Sequence, residues 1–112
     1  MTPAGSGILI EPRRIAFRRI AEVAAQRADA VVSRWLPEGK HEGSEWVALN
    51  PTRSDSRKGS FKVNLKSGKW GDFATGDRGG DLISLAAYIF NLDQGEAAKR
   101  VADMLGMDAY ER

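Results

Sequence analysis

Residues 50–85 read NPTRSDSRKGSFKVNLKSGKWGDFATGDRGGDLISL, and the hydrophobic periodicity that decides the fold changes within them. Apolar and polar residues alternate over 61–66, which is the pattern of a strand with one buried face. Ser67 and Gly68 form a tight turn into a second strand. From Asp81 onward the apolar residues recur at helical spacing. The segment therefore predicts a strand pair that leads through a glycine-rich turn into a helix.

The residues before this segment predict one more strand and a helical region. A short strand over 45–49 completes a small three-stranded antiparallel sheet over 45–73. Residues 12–36 are rich in helix formers, and their only proline is at the first position, where it suits a first helical turn. They predict a long N-terminal helix, or two helices in line. We expect residues 1–10 to be a flexible tail.

Two C-terminal helices are predicted over residues 81–106. Asp81 follows two glycines and suits an N-cap, and Asp93 with Glu96 has the spacing of a capping box. The order of helix, three strands and two helices predicts an α+β fold. A chain of 112 residues is enough for one core, so we expect residues 1–112 to form a single domain.

The composition excludes several kinds of chemistry. The chain contains no cysteine and one histidine, His41, so it has no disulfide, no thiolate zinc site and no multi-histidine metal site. Asp55, Asp72, Asp77 and Asp81 lie in or beside loops, where they could converge on a divalent cation, but acidic residues at turns and caps are common for structural reasons. We therefore expect no cofactor, no bound metal and no catalytic site.

The N-terminal apolar run is short. It comprises three residues, Ile8–Ile10, whereas a membrane span takes roughly 20. We expect a cytoplasmic protein with no membrane partner.

Positive charge is concentrated in the middle of the chain. The net charge is only +2, yet residues 50–80 carry seven Lys/Arg against three Asp/Glu, and residues 81–112 carry three against six. A site for single-stranded nucleic acid needs cations that follow the phosphates and aromatic rings on which bases stack. The pattern predicts such a site on one sheet face and the adjoining loop, formed by Arg53, Arg57, Lys58, Lys62, Lys66, Lys69, Trp70 and Arg78.

These residues also have structural explanations. Trp70 suits the core, and lysines on a strand protect a sheet from edge pairing. Gly76, Gly79 and Gly80 permit positive φ in a turn, or they expose backbone N–H groups to a phosphate. The turn lacks the Lys-Ser/Thr of a P-loop, which argues against nucleotide hydrolysis.

Several short motifs occur in the order and spacing of a known family. They are VVSRWLP at 31–37, Trp46, the Asn-Pro pair at 50–51, SFKV at 60–63 and GGD at 79–81. In carrying them, the stretch from 31 to 107 resembles the zinc-binding N-terminal domain, of the CHC2 type, of bacterial and phage DNA primases. The resemblance covers about two thirds of the chain.

The resemblance also exposes a departure from that family. It places the four zinc-ligand positions at Asn50, Arg53, Phe73 and Gly76. None of these residues supplies a thiolate or an imidazole. The resemblance therefore implies a zinc-ribbon-like fold without zinc, and we expect burial of Phe73, Trp70 and Trp46 to replace a metal contribution on the order of 10 kcal/mol.

The function that the resemblance implies is non-catalytic binding of single-stranded DNA during DNA replication. The module would work beside a primase or helicase catalytic domain, or another replication protein, in a phage, plasmid or mobile element. The alternative is a protein-interaction module that kept the fold without binding DNA. An example is a small phage or mobile-element protein acting on a host replication or defence complex.

Overall fold

The computed structural model describes residues 13–112, in which two helices, five strands and two further helices follow one another. The helices are α1 Phe17–Gln26, α2 Ala28–Trp35, α3 Leu82–Phe90 and α4 Gln94–Leu105. The strands are β1 Lys40–Glu42, β2 Glu45–Ala48, β3 Phe61–Asn64, β4 Trp70–Asp72 and β5 Arg78–Gly79. The predicted α+β class is confirmed, while the tail expected over 1–10 lies outside the described residues.

The five strands form one antiparallel sheet in sequence order, β1-β2-β3-β4-β5. The register of β2 and β3 pairs Trp46 with Val63. It also pairs Ala48 with Phe61, and all four side chains are buried. They belong to the core that the sheet shares with the helices. Because side chains alternate along a strand, Lys62 lies on the opposite face of the sheet.

The prediction of a three-stranded sheet is wrong, because the sheet has a further short strand at each edge. β1 contains no apolar residue and is exposed, so it carries no alternating signal. A two-residue turn joins it to β2, with Gly43 at φ +61°. β5 has two residues within the glycine-rich turn and pairs Gly79 with Trp70. Both edge strands form by pairing with a buried neighbour.

Of the two alternatives for residues 12–36, the single long helix is wrong, because the chain forms two helices there. The first helix begins at Phe17, and the chain breaks at Arg27, where φ is −118°, before α2 begins. Ala24 and Ala28 on either side of the break are buried. No glycine or proline marks the break, and we attribute it to the packing of both helices on one core.

The segment before α1 pairs with the end of the chain. The Ala16 N–H donates to the Ala109 carbonyl oxygen at 2.8 Å. The Arg19 guanidinium donates to the Tyr110 carbonyl oxygen at 2.9 Å. Arg19 therefore fastens the C-terminal segment to the first helix.

The C-terminal helices carry the N-caps that the sequence predicts. The Asp81 carboxylate accepts from the Ser84 N–H at 2.8 Å, and the Asp93 carboxylate accepts from the Glu96 N–H at 2.7 Å. Gly106, at φ 71°, ends α4. No helix within 13–112 has the length and hydropathy needed to cross a membrane.

Gly79 has a steric role in the core. Trp70 donates its indole N–H to the Ser84 hydroxyl at 2.8 Å, directly beside the Gly79 backbone. A Cβ at position 79 would overlap both the indole nitrogen and that hydroxyl oxygen. A Cβ at Gly80 would meet no heavy atom within 4 Å.

We expect Gly79→Ala to lower the free energy of unfolding by about 1–3 kcal/mol, because the added methyl forces the Trp70 ring out of place. Urea denaturation followed by tryptophan fluorescence measures the change. Gly80→Ala is the matched control and should shift stability by less than about 0.5 kcal/mol. Equal effects of the two substitutions would contradict this packing role.

Candidate functional site

Two loops meet at one end of the sheet around a buried carboxylate. Asp72 is the last residue of β4 and is 2% exposed, and Asn50, just after β2, is 1% exposed. The Asn50 side-chain amide donates to the Asp72 carboxylate at 2.8 Å. The Arg53 Nε donates to the same oxygen at 3.0 Å. The loop after β2 is thereby tied to the end of β4.

Helix α3 joins the same cluster through Tyr88. Its phenolic oxygen accepts from the Asn50 amide at 2.8 Å, and its O–H donates to the Asp77 carboxylate at 2.8 Å. We call this cluster the Asp72 network and define it as Asn50, Arg53, Asp72, Asp77 and Tyr88.

The turn between β4 and β5 is wrapped around Asp72. The Asp72 carboxylate accepts from the Ala74 N–H at 2.8 Å, and its carbonyl oxygen accepts from the Gly76 N–H at 2.8 Å. Gly76 has φ +82°, a conformation that side chains other than glycine rarely adopt. The backbone of the turn is therefore held by the residue that anchors the network.

The surroundings of Asp72 stabilise its ionised form. Burial raises the pKa of this carboxyl. Hydrogen bonds from Asn50, Arg53 and the Ala74 backbone together lower the pKa by more than burial raises it, so it lies well below the ordinary 3.8. The hydrogen bond to Asp72 in turn raises the pKa of the Arg53 guanidinium. The network thus contains an ion pair at neutral pH.

Two of the four positions that the resemblance assigns to zinc ligands meet in this network. Asn50 and Arg53 converge, but they converge on Asp72 rather than on Phe73 and Gly76. The expectation that Phe73 is buried in place of a metal is wrong, because its side chain is 79% exposed. Among residues 13–112, no three acidic or histidine side chains are arranged to hold a metal ion.

Strand parity is the signal that distinguishes Asp72 from Phe73. Trp70 faces the core, so Asp72, two residues later on the same strand, faces it too. Phe73 follows with the opposite parity and therefore emerges on the outer side. Without this parity argument, Asp72 is indistinguishable from an ordinary turn carboxylate in the sequence.

We expect Asp72→Ala to lower the free energy of unfolding by about 3–5 kcal/mol at neutral pH, because it leaves buried donors without an acceptor. Asp72→Asn keeps the shape, loses the charge and should cost about 1.5–3 kcal/mol. Chemical denaturation measures both. Asp103→Asn, at an exposed position of α4, is the control and should be close to neutral.

The destabilisation by Asp72→Asn should depend on pH. The folded-state pKa of Asp72 is lower than that of the unfolded chain, so the stabilisation is full above the unfolded value and is lost as pH falls toward the folded value. The stability difference between wild type and Asp72→Asn should therefore shrink when denaturation is repeated from about pH 6 down to about pH 2. A difference that stays constant over this range would contradict an ionised Asp72 in the fold.

An open groove of about 410 Å³ lies on the sheet face away from the core. We call it the outer groove. The register aligns Lys62, Gly71 and Arg78 across β3, β4 and β5, so the two cations flank a position without a side chain. Lys69 and Phe73 also line the groove. The Lys62 Nζ lies 6.0 Å from the centroid of the Phe73 ring.

The cations of the outer groove are not neutralised by close carboxylates. Within the described part of the chain, Lys62, Lys69 and Arg78 form no ion pair. Glu45 and Asp77 also line the groove, and the Asp77 carboxylate accepts the Tyr88 O–H. The groove lining therefore holds three cations without an ion pair, the carboxylates of Glu45 and Asp77, and the buried Asp72.

The other residues predicted for nucleic-acid binding lie outside this groove. Arg57, Lys58 and Lys66 are exposed in loops and are not part of its lining. Arg53 donates to Asp72 and lies 3.5 Å from the Asp55 carboxylate, so its guanidinium is committed to the network.

Trp70, the aromatic residue predicted to stack on bases, is in the core. It is 7% exposed, and its ring lies 4.6 Å from that of Tyr88 between centroids. Its indole N–H is used by Ser84. The structure supports the alternative role of Trp70 as a core residue, and Phe73 is the exposed aromatic side chain in the lining of the outer groove.

A second, apolar groove lies between the helices. It has a volume of about 210 Å³ and is lined mainly by Trp35, Phe90, Leu92 and Met104. Phe90 is 47% exposed and packs edge to face against Trp35, with 5.9 Å between ring centroids.

A scan against protein-family models and a search of curated proteins found no match to this chain.

Proposed function

We propose that this protein is a non-catalytic module that binds single-stranded DNA across the outer groove. The observation that carries the proposal is the meeting of Lys62, Lys69 and Arg78 in one open groove beside an exposed aromatic ring. Cations of this kind bind a phosphate backbone, and binding releases condensed counterions.

Phe73 is the reason to propose a single strand rather than a duplex. Bases in a duplex are stacked on one another, whereas an unpaired base has a face that can stack on an aromatic side chain. Such stacking contributes about 1–3 kcal/mol per base and tolerates any base identity. An exposed ring within a cationic groove suits that kind of ligand.

We further propose that the module is a metal-free relative of the primase zinc-binding domain. It would act in the cytoplasm beside a primase or helicase catalytic domain, or another replication protein, of a phage, plasmid or mobile element. The convergence of Asn50 and Arg53 on the β4–β5 turn supports this origin. Ligands from the same two chain segments would meet there around a zinc ion.

A protein-interaction module is the second candidate. The apolar groove of Trp35, Phe90 and Met104 favours it, because exposed aromatic side chains beside a groove are common at interfaces. The two functions require different faces of the molecule, so they can be tested separately.

Reversing the three groove cations should weaken DNA binding. We expect the triple variant Lys62→Glu, Lys69→Glu, Arg78→Glu to bind a fluorescein-labelled (dT)₂₀ oligonucleotide at least about tenfold more weakly at 50 mM salt. Fluorescence anisotropy at several salt concentrations should also show that the slope of log K against log salt is smaller in magnitude by roughly 2. Each lost phosphate contact removes about 0.7 from that slope.

The matched control carries the same change of net charge elsewhere. Arg18, Arg34 and Arg112 are exposed and lie outside the groove lining, so reversing them should leave most of the affinity intact. Equal losses in the two triple variants would show only a general charge effect and would contradict a site in the groove. Undetectable binding by wild type at low salt would contradict the proposed function itself.

A further inference from the structure

We infer that the outer groove is a binding position for one unpaired nucleobase, which lies over the Gly71 backbone and against the Phe73 ring. The inference rests on the proposed function and adds to it a defined base-binding position. It distinguishes a strand that inserts a base from one that only crosses the cations.

Gly71 is not required for the packing of the sheet. Its φ is not in the left-handed region, and a Cβ there would lie 3.6 Å from the Arg78 Cβ and from the Asp77 carbonyl oxygen, which is ordinary contact. Glycine in a strand interior weakens the strand and often marks a close approach by a ligand. Here the missing side chain opens the space between Lys62 and Arg78 on the outer face.

The backbone of Phe73 is held in place, although its ring is exposed. Its N–H donates to the Ser60 carbonyl oxygen at 2.9 Å, and the preceding residue, Asp72, is the anchor of the buried network. The backbone from which the ring projects is therefore fixed before a ligand arrives, which lowers part of the entropic cost of stacking.

The charges of the groove indicate which part of a nucleotide lies over the Gly71 backbone. Glu45 and Asp77 would repel a phosphate placed among them, but carboxylates accept hydrogen bonds from the N–H groups of bases, the N3–H of thymine included. Lys62, Lys69 and Arg78 attract the phosphates on either side. A volume of about 410 Å³ falls at the lower end of the range typical of small-ligand sites, roughly 300–1,000 Å³, which suits a single nucleotide unit.

Two single substitutions test this base-binding position without changing the net charge of the protein. Gly71→Val fills the space over the Gly71 backbone with the side chain of a residue that favours strands. Phe73→Ala removes the aromatic ring. Each should weaken binding of labelled (dT)₁₀ by at least about fivefold in fluorescence anisotropy, with the salt dependence unchanged. Phe90→Ala, at an exposed aromatic residue of the apolar groove, is the control and should bind like wild type.

An abasic oligonucleotide of ten deoxyribose phosphates separates the base from the backbone. Wild type should bind it about as weakly as Phe73→Ala binds (dT)₁₀, and Phe73→Ala should not weaken abasic binding further. The proposed base-binding position is contradicted if wild type binds both oligonucleotides equally, or if Gly71→Val and Phe73→Ala leave (dT)₁₀ affinity unchanged. The proposed function would still stand in that case, provided that the triple charge reversal weakens binding.

Discussion

The buried carboxylate of Asp72 is the constraint on which the arrangement of both loops depends. A buried ionised group is costly unless it is paired and hydrogen-bonded. Its donors come from the loop after β2 and from the β4–β5 turn, and Tyr88 links the network to α3. Because these donors must converge, the turn that carries Phe73 and leads into Arg78 has one position relative to the sheet. The inner network and the outer groove are thus two sides of the same turn.

The network and a structural zinc ion contribute to a fold in different ways. Zinc in a ribbon supplies folding free energy directly, on the order of 10 kcal/mol. A buried ion pair contributes little net stability, because desolvation offsets much of its attraction, while removing one partner is strongly destabilising. Stability here must come from apolar burial, as in the fully buried Phe61 and Val63. The polar network specifies how the loops are placed on that core.

The sequence predicts those parts of the fold that carry local signals. Alternation over β3 places Lys62 outside and Phe61 inside, and the N-caps at Asp81 and Asp93 are present. Local patterns do not indicate the edge strands, and they leave one helix or two open over 12–36 without locating the break at Arg27, since pairing and packing with distant residues determine these features.

The candidate site is predictable in part for the same reason. Lys62, Lys69 and Arg78 meet in one groove. Trp70 has the core position that the sequence offered as an alternative to stacking, whereas Phe73, which was expected to be buried, is exposed. A large aromatic residue suggests stacking wherever it occurs, and only parity along β4 shows that Trp70 points inward. The Asp72 network could be predicted only in part. The resemblance brings Asn50 and Arg53 together, and parity along β4 turns Asp72 inward, but Tyr88 lies 38 residues from Asn50 and no local pattern links the two.

An NMR titration of the isotopically labelled protein with a single-stranded oligonucleotide, in the presence of a metal chelator, tests most directly whether a metal-free network presents a DNA-binding groove. We expect a dispersed spectrum with chelator and the largest amide shifts at Gly71, Phe73 and Arg78. The amides of Trp35, Phe90 and Met104 should stay in place. A spectrum that collapses without zinc, or shifts confined to the helical side, would contradict the proposal.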